Sequence, residues 1–309
     1  MKRGVISAAC AYILWGLLPL YWKALQGVPA LQILAHRMTW SLGFVLLLLL
    51  ARRQWRWLGP AVRNRRILLT YTCSALLLAL NWYLYIWAVN SGHIVESSLG
   101  YFINPLVNVL LGVLFLKERL RIGQGLAIGL AASGVLYLTI TLGALPWIAL
   151  VLATTFGIYG LLRKTAALNS LEGLTLETLV FFPAALAYLV FLETQQRAAF
   201  AHASLTTTLL LAGAGAVTAI PLLLFAAGAR RITMTTLGLL QYIAPTLQFL
   251  IGVFIYQEQV TPARLIGFGL IWLALGLYSA EGWIQSRRTA PLPISPGEVT
   301  PRLGHEVTP

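Results

Sequence analysis

The stretch LGYFINPLVNVLLGVLFLKE, residues 99–118, decides how the rest of the chain is read. It is apolar enough to lie in lipid, yet Pro105 sits in its middle with Asn104 and Asn108 beside it. An offset of 140 positions gives LLQYIAPTLQFLIGVFIYQE, residues 239–258. In that register Leu99 meets Leu239, Ile103 meets Ile243, Pro105 meets Pro245 and Leu110 meets Leu250. Gly112 then meets Gly252, Val113 meets Val253 and Glu118 meets Glu258. Apolar segments interrupted by proline at corresponding places in two halves point to the binding region of a transporter.

Composition sets the class. The chain of 309 residues is 59% hydrophobic and 10% charged, with a mean hydropathy of +0.80. A soluble protein of that size needs far more polar surface, so the sequence implies a polytopic membrane protein. The nine acidic residues are all glutamate. Cys10 and Cys73 both lie in apolar runs and read as small buried hydrophobes, with no disulfide framework and no metal site. The first apolar run is too long for a signal peptide and has no small-residue cleavage site, so it reads as a retained span.

A bilayer core requires about 20 apolar residues per helix. Ten stretches meet or approach that length: 4–24, 31–51, 67–89, 94–116, 122–142, 147–162, 174–192, 205–229, 232–256 and 263–283. With the N-terminus inside, all 22 Lys and Arg fall on the cytoplasmic side except Lys23, Arg37, Arg197 and Arg264. That asymmetry fixes the orientation and accounts for the net charge of +13 as a topology signal. No basic cluster sits on a soluble domain, so nucleic acid is excluded as a partner.

The duplication extends beyond the opening stretch. Asn81 precedes Pro105 by the same 24 residues that separate Pro221 from Pro245. Near each start, Trp15-Gly16…Lys23 corresponds to Phe156-Gly157…Lys164 at an offset of 141. Five spans per half is an odd number, so the second half enters the membrane from the opposite side. The sequence therefore predicts an all-α membrane protein of ten transmembrane helices arranged as two inverted five-helix repeats. The first repeat covers 1–143 and the second 144–284, followed by a proline-rich, polar tail, 285–309, read as disordered and cytoplasmic.

Candidate site residues follow helical spacing. In the fourth span Ser97, Tyr101, Asn104 and Asn108 share one face, and in the ninth Gln241, Pro245, Gln248 and Gly252 keep the same rhythm. Pro105 and Pro245 lack an N–H and free the carbonyls of Tyr101 and Gln241, and Pro221 is expected to break the eighth span. Asn81 and Tyr85 are four apart on the third span, where Asn81 is favoured over the neighbouring tryptophans. Trp15 and Tyr159 are added from the first and sixth spans. His36 and Arg37 enter the second span at a depth where charge is costly. Arg37 is equally readable as a snorkelling cap, as is Glu177 in the seventh span. The glycines of the fifth and tenth spans, Gly125, Gly129, Gly134, Gly267, Gly269 and Gly276, read as packing faces for a scaffold or a dimer.

The runs AYILWGLLPLYWK, ILAHRMTWS, LNWYLYIWAVNSGHIVESSLGYFINPL and LQYIAPTLQFL resemble the RarD family of EamA-type permeases, within the drug/metabolite transporter superfamily. The similarity covers roughly residues 4–283. It implies a permease or exporter of small molecules in the bacterial inner membrane. It also implies a central cavity formed by spans one, three, four, six, eight and nine, with five and ten in support.

The expected function is secondary transport by alternating access, with passive facilitation or a channel as the alternatives. The chain has no GxxxxGK[ST] loop, so ATP is not its direct drive, and no cofactor is expected. Protons are a candidate coupling ion, with Glu96, His93 and His36 as the groups that would titrate. The expected partners are a small-molecule substrate and the lipid bilayer, in a monomer or a homodimer. Without Asp pairs or an HExxH motif the sequence does not read as an enzyme.

Overall fold

The computed structural model describes residues 2–53, 55–90, 94–142, 147–257 and 262–288, and among them there is no strand. In lipid every backbone N–H and C=O must be satisfied within its own segment, and the helix is the solution for a chain this apolar. The elements are α1 (Lys2–Lys23), α2 (Ala30–Arg52), the short α3 (Leu58–Arg63), α4 (Arg65–Asn90), α5 (Ile94–Leu116) and α6 (Ile122–Leu142). They are followed by α7 (Trp147–Thr165), α8 (Ser170–Thr194), α9 (Leu205–Ala229), α10 (Met234–Gln241), α11 (Ile243–Leu250), a π-helical turn over Ile251–Ile255, and α12 (Pro262–Arg288). Eight of the described helical stretches are long and apolar enough to cross a membrane, counting α10, α11 and the π-helical turn as one. Apolar runs over Gly100–Leu116 in α5 and Leu265–Glu281 in α12 are shorter. The outer surface is apolar, with Leu47 66%, Leu69 65% and Phe254 71% exposed, a surface that only lipid or another apolar partner can cover.

Several boundaries differ from the sequence reading, each for a local reason. α8 begins at Ser170 because Asn169 and Glu172 form a capping box. The Asn169 side-chain oxygen Oδ1 accepts from the N–H groups of Leu171 and Glu172, and Glu172 Oε2 accepts from Asn169 N–H at 3.1 Å. α7 runs on to Thr165, with Arg163 buried in its last turn. α9 is not broken at Pro221: it is unbroken from Leu205 to Ala229. The proline removes one N–H, while α1 and α2 pack along the rest of the helix and hold it. α5 likewise runs through Pro105, whereas the helix containing Pro245 divides at Tyr242. Cys10 and Cys73 are exposed on the apolar exterior rather than buried.

The neighbour relations map onto themselves when the two halves are exchanged. α5 packs on α7 as α11 packs on α1, α4 packs on α7 as α9 packs on α1, and α2 meets α9 as α8 meets α4. The correspondence reaches single residues. A Cβ on Gly16 would lie 2.8 Å from Leu247, and one on Gly157 would lie 2.8 Å from Val107, its counterpart. Trp15 and Phe156, themselves counterparts, meet edge to face at 5.7 Å, and Tyr242 donates to the carbonyl of its counterpart Phe102 at 3.2 Å. Lys117 and Gln257 close the corresponding helices with φ of 54° and 53°, in the left-handed region. α6 and α12 pack on each other, and a Cβ on Gly134 would come within 3.1 Å of the Gly267 carbonyl.

On the face of the bundle that holds the N-terminus, Lys164 donates to the carbonyls of Ala229 (3.0 Å) and Ile232, and Arg230 to those of Ala166 (3.0 Å) and Leu168. One turn deeper lies a buried ion pair. Arg163 and Glu177 are each 2% exposed with Nη1 and Oε1 3.6 Å apart; Ser74 donates to Glu177, and the Tyr71 ring lies 5.4 Å from the guanidinium. Glu177 therefore does not snorkel. Removing one member of such a pair leaves a bare buried charge, which costs roughly 3–5 kcal/mol, while replacing both with apolar residues costs much less. Arg163→Met alone is expected to lower the melting temperature of detergent-purified protein strongly. Arg163→Met combined with Glu177→Leu should recover most of the loss; equal losses in the single and double variants would contradict the pairing.

Candidate substrate cavity

Between the halves lies a cavity of about 170 Å³. Its walls come from α1 (Tyr12, Trp15, Trp22), α2 (Arg37), α4 (Asn81, Trp82, Tyr85), α5 (Tyr101, Asn104), α7 (Phe156) and the α10–α11 break (Gln241, Pro245, Gln248). Toward the N-terminal face it stops at an aromatic layer. Phe225 of α9 packs against Tyr12 (6.1 Å), Trp15 (5.5 Å) and Phe156 (5.5 Å), and stacks on Tyr159 at 6.0 Å. The cavity lies on the other side of this layer.

The amides on its wall are held by backbone carbonyls left available in the facing helix. Asn81 donates to Leu152 O at 2.8 Å and to Thr155 Oγ1 at 2.9 Å. Asn104 donates to Ala153 O at 2.7 Å, and Gln248 to Trp15 O at 3.2 Å. Asn108 sits one layer back: its Nδ2 donates to Asn104 Oδ1 at 3.1 Å and to Gln241 Oε1 at 2.8 Å, tying α5 to α10. These bonds leave Asn81 Oδ1, Gln241 Nε2 and Gln248 Oε1 without a protein partner among the described residues, and none of the three is among the fully buried unpaired atoms. The cavity thus offers one amide donor and two amide acceptors, framed by indole and phenol rings.

Most of the sequence-derived candidates converge here. Trp15, Asn81, Tyr85, Tyr101, Asn104, Gln241 and Gln248 line the cavity, and the rings of Tyr85 and Tyr101 meet at 5.8 Å. Asn108 and Tyr159 do not line it: both are buried behind its wall, Asn108 positioning two amides and Tyr159 stacking on Phe225. His36 is not at the cavity either; it is 4% exposed, its ring 5.2 Å from Phe200 and both nitrogens unpaired. One residue on around the helix, its neighbour Arg37 reaches the cavity instead. The side chain of Glu96, like His93 and Glu258, lies outside the described residues. Trp22, Trp82 and Tyr12 were not singled out, although their indole and phenol types among apolar residues are what a cavity wall uses.

Glu118, the last residue of the opening stretch, joins the two halves at the N-terminal face. Its Oε1 accepts from Met234 N–H (2.6 Å) and its Oε2 from Thr235 N–H (3.0 Å) and Thr235 Oγ1 (2.9 Å). A carboxylate on the first turn of α10 satisfies orphan N–H groups and meets the positive end of the helix dipole, an arrangement worth about 0.3–2 kcal/mol. It ties the end of α5 to the start of α10 across the two halves.

These features define a multi-pass helical membrane protein with a small polar cavity between two corresponding halves. Comparison with known proteins gives the family. The sequence profile of the EamA-like transporter family matches residues 2–140 and again residues 145–280. The transporter YojE of Bacillus subtilis is 49% identical over 282 residues, covering 90% of this chain and 94% of that protein. Protein RarD of Streptomyces exfoliatus is 47% identical, covering 93% and 91%, and protein RarD of Escherichia coli is 43% identical, covering 94% and 98%. A solved crystal structure superposes with a TM-score of 0.66 at 20% identity, over 91% of this chain and 98% of the other, which bears on the fold alone. The chain belongs to the EamA-like transporter family, in its RarD-like branch, and is a membrane transporter.

If Glu118 holds the N-terminal face closed, removing its carboxylate should expose the cavity from that side. With Cys10 and Cys73 replaced by serine, a cysteine at Leu222 is expected to react several-fold faster with a membrane-impermeant maleimide applied to that face in Glu118→Ala than in the parent. Equal rates would show that the contact does not bear on closure.

Proposed function

We propose that the protein is a secondary transporter of the bacterial inner membrane that moves a small organic molecule by alternating access. Ten spans form two inverted repeats, 1–143 and 144–284, with both termini cytoplasmic, and the halves rock about the contact between Trp15 and Phe156. The observation that carries this reading is the cavity between corresponding halves, bounded on one side by aromatic packing, with Glu118 joining the halves at the N-terminal face. In an inverted repeat, the packing that closes one face has a mirror arrangement available at the other, so exchange of the two states moves the site between faces.

The cavity volume limits the cargo. At about 170 Å³ it compares with the ~150 Å³ apolar cavity that accepts benzene, and lies below the ~300–1,000 Å³ of drug-sized sites. A molecule of about one ring with a polar headgroup fits it. Three free amide atoms favour a carrier site over a channel filter, which uses rings of carbonyls or charges.

The test begins by comparing metabolites in medium from cells overexpressing the protein with those from cells lacking it. The differing compound is then assayed for counterflow in proteoliposomes. Saturable counterflow is expected, with Gln248→Ala and Asn81→Ala each lowering it about fivefold, the worth of one net hydrogen bond. Unitary conductance without counterflow would contradict a carrier.

A further inference from the structure

Among the described residues, the cavity carries a charge with no carboxylate beside it. Of its lining residues Arg37 alone is charged; no carboxylate is among them. The ion pairs found among the described residues are Arg121–Glu281, Arg163–Glu177 and His202–Glu193, and Arg37 belongs to none. The contrast with Arg163 is informative, because that guanidinium is fully buried and has its glutamate, whereas Arg37 is half-buried at the cavity.

Arg37 is nevertheless held firmly. Its guanidinium carbon lies 4.7 Å from the Trp22 ring centre and 4.5 Å from that of Trp82, and its Nε donates to Thr218 Oγ1 at 3.0 Å. Two indoles and one hydroxyl fix the orientation of the fork and use its inner N–H. The outer Nη groups have no acceptor among the described residues and are not sealed off, unlike the Nε and Nη1 of Arg163. A planar fork with its outer N–H groups directed at open volume is the donor set that binds a carboxylate in two parallel bonds. A cation at membrane depth is costly and is kept where it meets a counter-charge.

The geometry points to an organic anion as the cargo, its acidic group held by Arg37 and its body by the surrounding rings. This rests on the cavity being the transport site, and adds the chemical class to that reading. Trp22 and Trp82 serve twice, stabilising the guanidinium while the site is empty and offering apolar surface to the bound molecule. Gln241 Nε2 is a second donor, and Asn81 Oδ1 and Gln248 Oε1 accept from any hydroxyl or amine on the same molecule. A cationic ligand meets like charge here, and a neutral one leaves the fork unpaired.

The test is calorimetric titration of the detergent-purified full chain with benzoate, benzamide, benzylamine and inorganic phosphate, which share size or charge in different combinations. Benzoate is expected to bind about tenfold or more tighter than benzamide, the least that a charge-assisted pair should give, with benzylamine and phosphate weaker still. Arg37→Gln should abolish the preference, so that the variant binds benzoate no tighter than benzamide. Arg37→Lys, which retains the charge without the fork, should keep part of the preference, as a check should Arg37→Gln not fold. Equal binding of benzoate and benzamide, tighter binding of benzylamine or phosphate, a preference surviving Arg37→Gln, or no binding of any probe would each overturn the proposal. Counterflow separates the two readings: benzoate bound but never carried removes transport and leaves the anion site, whereas carriage of neutral or cationic compounds alone does the reverse.

Discussion

Two glycines set the distance between the halves of this molecule. At Gly16 and Gly157 there is no room for a Cβ against Leu247 and Val107, so α1 lies directly on α11 and α7 directly on α5. In lipid no hydrophobic force draws helices together; contact is made by packing, and small residues permit the closest packing. That approach brings Trp15 and Phe156 face to edge at the centre, and places the backbone carbonyls of Leu152, Ala153 and Trp15 within reach of amides from the opposite helix. Widening either contact would cost the amides their acceptors.

The polar groups divide into those that hold the bundle and those left over. On the N-terminal face, lysine and arginine cap carbonyls, Glu118 caps N–H groups, and Arg163 is paired with Glu177. In the cavity Asn81, Gln241 and Gln248 each spend one end of the amide on protein and present the other, and Arg37 presents most of its donors. In a low-dielectric bundle an unused donor or acceptor is expensive. The free amide ends and the Arg37 fork that face the cavity support the reading that a ligand binds there.

Much of this was legible in the residues. The period of 140 positions tells which helices correspond, and the pairing of Pro105 with Pro245 points to the helices that line the cavity. The polar stripe of the fourth span was also sound as a helical face, yet its residues divide in role: Asn104 reaches the cavity while Asn108 stands behind it and positions Asn104 and Gln241. Spacing reports a face, and a face several residues wide touches more than one neighbour. His36 and Arg37 show the same limit, since adjacent residues point about 100° apart on a helix and sequence does not say which of the two faces the cavity. The unbroken helix at Pro221 depends on tertiary packing, which no local rule contains.

The central claim is that the face closed by Glu118 opens when the transporter changes state. Electron–electron spin distances between labels at Arg119 and Arg231, in the reconstituted full chain, measure that opening directly. The account predicts two distance populations, the shorter matching the closed face seen here, with their ratio shifting when a cavity ligand is added. One short, ligand-insensitive distance would contradict it.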